Sequence, residues 1–199
     1  MPRDIIHVNI TNFYVSVARI MEPRLVSYPV AVVSVGATRP MVLDVSDEAL
    51  RAGVRRGMVL ERARRRCRDL VVVPPMPDAY RRAGNALVKE AACFSPRVEP
   101  AGPGHVFIDL SGTGRLWGPS VDVADRLRKR LQNRCSLPGS VGLGGSKLVS
   151  KVATRVVKPA GLCHVVHGCE ESFLAPLPVH LLPGIDYHVV RQLLEFNLN

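Results

Sequence analysis

Lys147, Lys151 and Arg155 recur every four residues, and Lys158 follows just beyond them. On a helix that spacing lines the first three on one stripe. A row of ammonium and guanidinium groups suits phosphate oxygens. Leu148, Val152 and Val156 follow one position later, so the segment reads as an amphipathic helix with a cationic flank. Ahead of it, Gly142-Leu143-Gly144-Gly145-Ser146-Lys147 offers backbone N–H groups to an anion at the helix start. The G-x-x-x-x-G-K-[ST] spacing of a phosphate-binding P-loop is absent. A phosphate-binding stripe is preferred here to an ordinary surface helix. A second cluster, Arg51, Arg55, Arg56, Arg62, Arg64, Arg65, Arg66 and Arg68, reads either as a surface that tracks a phosphate backbone or as a solvated face of its own block.

Carboxylates are scarcer where they would matter. Two-metal phosphoryl chemistry asks for acidic side chains converging from neighbouring strands on ions about 4 Å apart. The first strand offers Asn9, and Thr11 follows it, neither carrying charge. A Pro/Gly-rich turn offers Gly102, Gly104 and His105, with Asp109 further along the strand. His105 reads as a strand-surface histidine rather than a metal ligand. No Ser/His/Asp set and no metal-spaced His/Cys cluster stands out. The five cysteines never form C-x-x-C, which disfavours a disulfide scaffold or zinc knuckle and fits a reducing cytoplasm. From the residues alone, no catalytic centre is evident.

The elements that must position these residues follow from patterning. The 199 residues suffice for one large domain or two small ones. Their 47% hydrophobic and 22% charged content is that of a folded protein. Apolar runs are strand-sized and fall short of the roughly 18–20 residues of a membrane helix. The N-terminus shows no secretory leader pattern. With 27 Lys+Arg against 17 Asp+Glu, the net charge of +10 implies a polyanionic partner, most simply nucleic acid.

A strand over 5–10 precedes a helix over 11–20. Strands over 30–35 and 41–45 lead to a short helix capped by Ser46 and stopped at Gly53. A helix over 58–68 and a strand over 70–73 close a block of about 55 residues bounded by prolines. A long helix then runs from Pro77 to about Cys93. Strands over 97–99 and 105–110 flank the turn at Pro100–Gly104. A helix over 119–134 carries Val123, Leu127 and Leu131. A strand over 139–143, the cationic helix over 146–157 and a strand over 162–166 complete an α+β order, expected as an antiparallel sheet with helices on one face. Val189, Val190, Leu193 and Leu194 follow a tight turn at Leu182-Pro183-Gly184-Ile185 and form a last short helix.

The opening Ile5-Ile6-His7-Val8-Asn9-Ile10-Thr11-Asn12-Phe13-Tyr14-Val15-Ser16-Val17 is close to I-I-H-V-D-M-D-A-F-Y-A-S-V, the opening of the Y-family (DinB/UmuC-type) translesion DNA polymerases. Pro29-Val30-Ala31-Val32, Glu48-Ala49, Gly53-Val54-Arg55, Val73-Pro74-Pro75, Phe94-Ser95-Pro96, Val98-Glu99 and Phe107-Ile108-Asp109 continue the likeness in order. Val141-Gly142-Leu143, Lys151-Val152-Ala153 and Lys158-Pro159-Ala160-Gly161 resemble the family's V-G-I, K-x-A-S and K-P-x-G segments. Leu182-Pro183-Gly184-Ile185 resembles the start of its thumb helix–hairpin–helix. The resemblance implies a right-hand palm, ferredoxin-like, over 1–22 and 76–166. It implies inserted fingers over 23–75 and a partial thumb over 167–199, with the family's little-finger domain not represented.

By the same resemblance, the working residues depart from the family. Its metal-binding acids align with Asn9, Thr11, Gly104 and His105. The Thr, Tyr and Arg that hold a triphosphate align with Asp44, Asp47 and Leu50, and two aspartates there would repel it. Tyr14 keeps the sugar-gate position and Lys158 a phosphate-contacting one. The implied protein is a pseudoenzyme of damage tolerance and repair, cytoplasmic (nucleoid-associated if bacterial), with no cofactor and no membrane association. It would grip DNA without sequence preference through Lys147, Lys151, Arg155 and Lys158, followed by Arg55 and Arg56, and would engage other replication or repair proteins. Two alternatives stand beside it. One is an active translesion nucleotidyltransferase using Mg2+ on unusual ligands such as Asp44, His105 or Asp109. The other is a protein-interaction scaffold of a translesion assembly.

Overall fold

The computed structural model describes residues 3–36, 38–185 and 187–196. The chain forms two compact units, one of residues 1–11 with 86–199 and one of residues 12–85. In chain order the first half forms β1 (Ile5–Asn9), α1 (Phe13–Met21), β2 (Val30–Val33), β3 (Val42–Val45), α2 (Asp47–Arg51), α3 (Leu60–Arg66), β4 (Val71–Val73) and α4 (Pro77–Ala92). The second half forms β5 (Val98–Pro100), β6 (His105–Asp109), α5 (Gly114–Trp117), α6 (Ser120–Cys135), β7 (Ser140–Gly144), α7 (Lys147–Val156), β8 (Gly161–His164), α8 (Glu170–Leu174) and α9 (Tyr187–Glu195). The short helices α5 and α8 have too few apolar residues to show a period, and patterning did not anticipate them. The Leu194 side chain lies outside what is described.

The larger unit is built on a five-stranded sheet in the order β5-β6-β1-β7-β8. The run β1–α4–β5–β6–α6–β7 yields the strand order β5-β6-β1-β7, the split βαβ pattern of a ferredoxin-like core. The pairings are antiparallel except at the edge, where β7 and β8 run parallel. The exception has a physical cause: α7 is a crossover helix, and a strand–helix–strand unit returns the chain in the same direction.

Helices also cover both faces of the central strands, where patterning expects one. All five residues of β1 and all five of β7 are buried. Ile6, Val8, Val141 and Leu143 turn one way, under α6, whose Val123, Leu127 and Leu131 are buried as their spacing predicts. Each fully buried leucine contributes about 1.5–3 kcal/mol. His7, Gly142 and Gly144 turn the other way, under α7. A Cβ on Gly142 would lie 2.1 Å from the Ser150 carbonyl oxygen, so only glycine lets α7 sit this close. The close approach also selects which side of α7 is buried. Val149, Ser150, Val152, Ala153 and Thr154 face the sheet, whereas Leu148 and Val156, expected in the apolar stripe, are 47% and 44% exposed.

The smaller unit has a three-stranded sheet in the order β3-β2-β4. One face packs Ala31, Val33, Val42 and Val45 against Ala49, Val54 and Ala63. The other face packs Val30, Val32 and Val73 against Val15 and Ala18 of α1. That packing makes α1 part of this unit, which therefore runs wider than the proline-bounded block. Ser46 caps α2 by accepting a hydrogen bond from the Ala49 N–H, and Gly53 ends the turn at φ 88°.

Candidate functional site

The antiparallel register of β1 and β6 sets Asn9 opposite His105, His7 opposite Phe107 and Ile5 opposite Asp109. On the other side β7 sets Ser140 beside Asn9 and Gly142 beside His7. The end of β1 thus brings Asn9, His105 and Ser140 together, and none of the three is an acid. Gly104 accepts the Ile10 N–H at 2.8 Å through its carbonyl and holds φ 75°, so its role here is in the turn. Thr11 donates its hydroxyl to the Pro159 carbonyl at 3.0 Å, which ties the exit of β1 to the segment after Lys158. Asp109 stands four residues from His105 on β6, roughly 13 Å at strand rise. It accepts hydrogen bonds from Arg3 and the Ser111 N–H, so His105 and Asp109 do not converge on one ion.

Two residues before Asn9, β1 carries a histidine inside the sheet. His7 is fully buried, stacked on His105 at 5.3 Å and tilted against Phe107 at 4.5 Å. Thr154 gives its hydroxyl proton to the Lys151 carbonyl at 2.7 Å, so its oxygen accepts from His7 Nδ1–H at 2.9 Å. His7 Nε2 is then bare and accepts from His105 Nδ1–H at 3.3 Å. Burial above all, then His105, Lys151, Arg155 and Lys158, push the His7 pKa down to about 3. The only available sign was a histidine within an apolar strand.

Those same cations are the predicted stripe. Lys151, Arg155 and Lys158 lie near enough to His7 to act on its charge, while Lys147 leans toward the β5–β6 edge. Lys147 pairs with Glu99 and sits 5.4 Å over the Phe107 ring. Arg155 donates to the Leu181 carbonyl at 2.7 Å. Lys151 makes no hydrogen bond or ion pair through its ammonium among the described residues. The face that borders Asn9 and His105 is therefore cationic.

In the smaller unit, Asp44 is buried and fully engaged. Its carboxylate accepts the N–H groups of Tyr14 at 2.9 Å, Val15 at 3.3 Å and Val45 at 3.0 Å, and it pairs with Arg56. It closes the N-terminus of α1, where partial positive charge favours an anion. Asp47 accepts from the Asn12 side chain at 2.8 Å. Of the two aspartates expected to repel a triphosphate, Asp44 is paired with Arg56 and the end of α1, and Asp47 is bonded to the neutral Asn12 amide. Leu50 is 40% exposed. Tyr14 packs its ring 4.4 Å from Tyr80, whose phenol is raised above its ordinary range by burial first, then by Tyr14 and Asp44. Arg55 turns back onto the Leu50 and Val54 carbonyls, and Arg56 onto Asp44, so both are committed within the unit. Arg51, Arg62, Arg64, Arg66 and Arg68 are exposed, and the nearest carboxylate pairing on α3 is Arg65 with Glu61 at 4.0 Å.

Residues 8–155 match the impB/mucB/samB family, and the chain belongs to that family. It is 34% identical over 191 residues to the DNA polymerase IV of Dehalococcoides mccartyi, covering 94% of this chain and 49% of that protein. It is 35% identical over 194 residues to DNA polymerase IV 2 of Mesorhizobium japonicum, covering 98% and 46%. Among solved structures, DinB from Sulfolobus solfataricus superposes with a TM-score of 0.92 at 21% identity, over 98% of this chain and 58% of that one. An insertion ternary complex of Dbh DNA polymerase superposes with a TM-score of 0.89 at 22% identity, over 97% and 57%. The fold is that of the Y-family, DinB-type polymerases. The chain spans about half the length of the curated relatives it matches.

Proposed function

We propose that this chain is a non-catalytic Y-family polymerase module that holds DNA by its phosphates in damage tolerance. In this reading residues 1–22 and 76–166 act as palm, 23–75 as fingers and 167–199 as the start of a thumb. Other replication or repair proteins would complete the assembly, and the setting would be cytoplasmic. Among the described residues, no helix is long and apolar enough to cross a membrane.

The observation that carries the reading is the sign of the charge beside Asn9 and His105. A polymerase of this class places magnesium between carboxylates, and magnesium demands hard oxygen ligands. Here the donors are an amide, an imidazole and two hydroxyls, with Lys151, Arg155 and Lys158 beside them. Among the described residues no three His, Cys, Asp or Glu side chains are grouped to hold a metal. These residues do not fit a magnesium pair. They suit an anion, and a DNA phosphate is the anion such a fold would meet.

Two measurements test this. Primer extension with Mg2+ or Mn2+ is expected to yield no added nucleotide, and incorporation would refute the reading. Anisotropy with a labelled primer–template, between roughly 50 and 200 mM salt, is expected to show a steep loss of affinity. Lys151→Glu should weaken binding about tenfold and flatten the salt slope by about one.

A further inference from the structure

We infer that the outer face of α6 is a docking site for an acidic protein segment that carries one apolar anchor. This surface lies across the sheet from α7 and plays no part in the phosphate-binding reading. Lys129 and Arg130 stand three and four residues after Arg126, and Arg134 four after Arg130, so one side of α6 presents all of them. With Phe94 and Trp117 they line an open cleft of about 390 Å³ that has no carboxylate in its wall. Glu90 pairs with Arg130 and Arg134, and Asp125 with Lys129, so two carboxylates answer part of the charge of four cations and a positive excess remains.

The cleft is preorganised. Phe94 and Trp117 meet edge to face, with centroids 5.4 Å apart. Arg126 lies 6.0 Å over the Trp117 ring and Arg130 lies 5.3 Å over the Phe94 ring. Arg126 is anchored through Nε to the Asp122 carbonyl and through Nη2 to the Trp117 carbonyl. Arg130 is anchored through Nε to Glu90 at 2.7 Å and through Nη2 to Cys93 Sγ at 3.4 Å. Each guanidinium keeps Nη1 without a partner among the described residues, which leaves a donor on a held side chain for a carboxylate. Single-stranded DNA needs open aromatic faces on which bases stack. Here guanidiniums cover both rings and Phe94 is buried, so carboxylates flanking a leucine or phenylalanine are the better complement.

Trp117 is the only tryptophan in the chain, so its emission reports on the cleft directly. The probe is an acetylated, amidated hexapeptide, Glu-Asp-Leu-Phe-Asp-Glu. Its comparators are the same peptide with lysines for its acids and a short oligothymidylate. A saturable emission change is expected with the acidic peptide only. It should be about tenfold weaker in Lys129→Glu/Arg134→Glu, positions whose side chains are 62% and 63% exposed. The milder Arg134→Gln should weaken it several-fold while leaving the unfolding midpoint in place, and Lys151→Glu should leave peptide binding unchanged. No saturable response, an equal response to the lysine peptide, a response to the oligonucleotide alone, or undiminished affinity in both charge variants would each overturn the inference.

Discussion

At the scale of the residue, His7 shows how a buried neutral imidazole couples stability to acidity. Its unfolded pKa is the ordinary 6.5, and its folded pKa lies near 3. Between those values the unfolded chain takes up a proton that the folded chain refuses. The stabilisation is therefore complete above pH 6.5 and is lost as the pH falls toward 3, at up to about 1.4 kcal/mol per pH unit. Asp109 answers differently. Burial alone would raise its carboxyl, but the Ser111 side chain and N–H and the Arg3 guanidinium outweigh it and hold it below its usual value. Its stabilisation is lost only in the more acidic range, below the ordinary carboxylate pKa. Urea midpoints between about pH 5 and 6.5 thus report on the imidazole and not on Asp109. His7→Gln, which retains a donor for Thr154, should be nearly flat across that window. A variant as pH-sensitive as the parent would show that another group is responsible.

At the scale of the element, α7 is placed by the residues it meets rather than by its own apolar period. Gly142→Ala would drive a methyl group into the Ser150 carbonyl, and separating helix from sheet should cost about 3 kcal/mol. Gly84 lies inside α4 with nothing within 4 Å of an added Cβ, so Gly84→Ala should stabilise the protein by about 0.5–1 kcal/mol. Chemical denaturation of the two variants tests the pair, and equal effects would show that close packing of α7 on β7 does not limit stability. The closure of α1 by Asp44 is a second case of an element completed from outside. A buried carboxylate that accepts three backbone N–H groups serves the helix first.

At the scale of the whole molecule, the excess of +10 is spread over three surfaces, those of α7 and α6 in the larger unit and that of α2 and α3 in the smaller one. Beside α7, cations gather where Asn9 and His105 stand. On α2 and α3, arginines project from an otherwise small unit with few carboxylates to answer them. A solvated face and a phosphate-tracking face respond differently to charge reversal. If the arginine surface contacts DNA, Arg64→Glu/Arg66→Glu should lower the salt slope by about two, additively with Lys151→Glu. An unchanged slope in the arginine variant would leave the surface merely solvated.

How much was legible in the sequence depended on whether a residue's neighbours were local. The spacing of Val123, Leu127 and Leu131 located α6 and its buried side, and Ser46 and Gly53 bounded α2, because a helix's period and its caps are properties of adjacent residues. That Asn9, Thr11, Gly104 and His105 carry no carboxylate was visible as residue types. Why Asp44 is not a bare charge and how His7 stays neutral were decided by tertiary contacts such as Asp44 with Tyr14, 30 positions apart, and His7 with Thr154, 147 positions apart, and the buried side of α7 by its packing against Gly142 of β7. Periodicity cannot encode such contacts. A glycine on a strand sets how close the helix packed over it can come, and a side chain's charge is settled by what burial places against it.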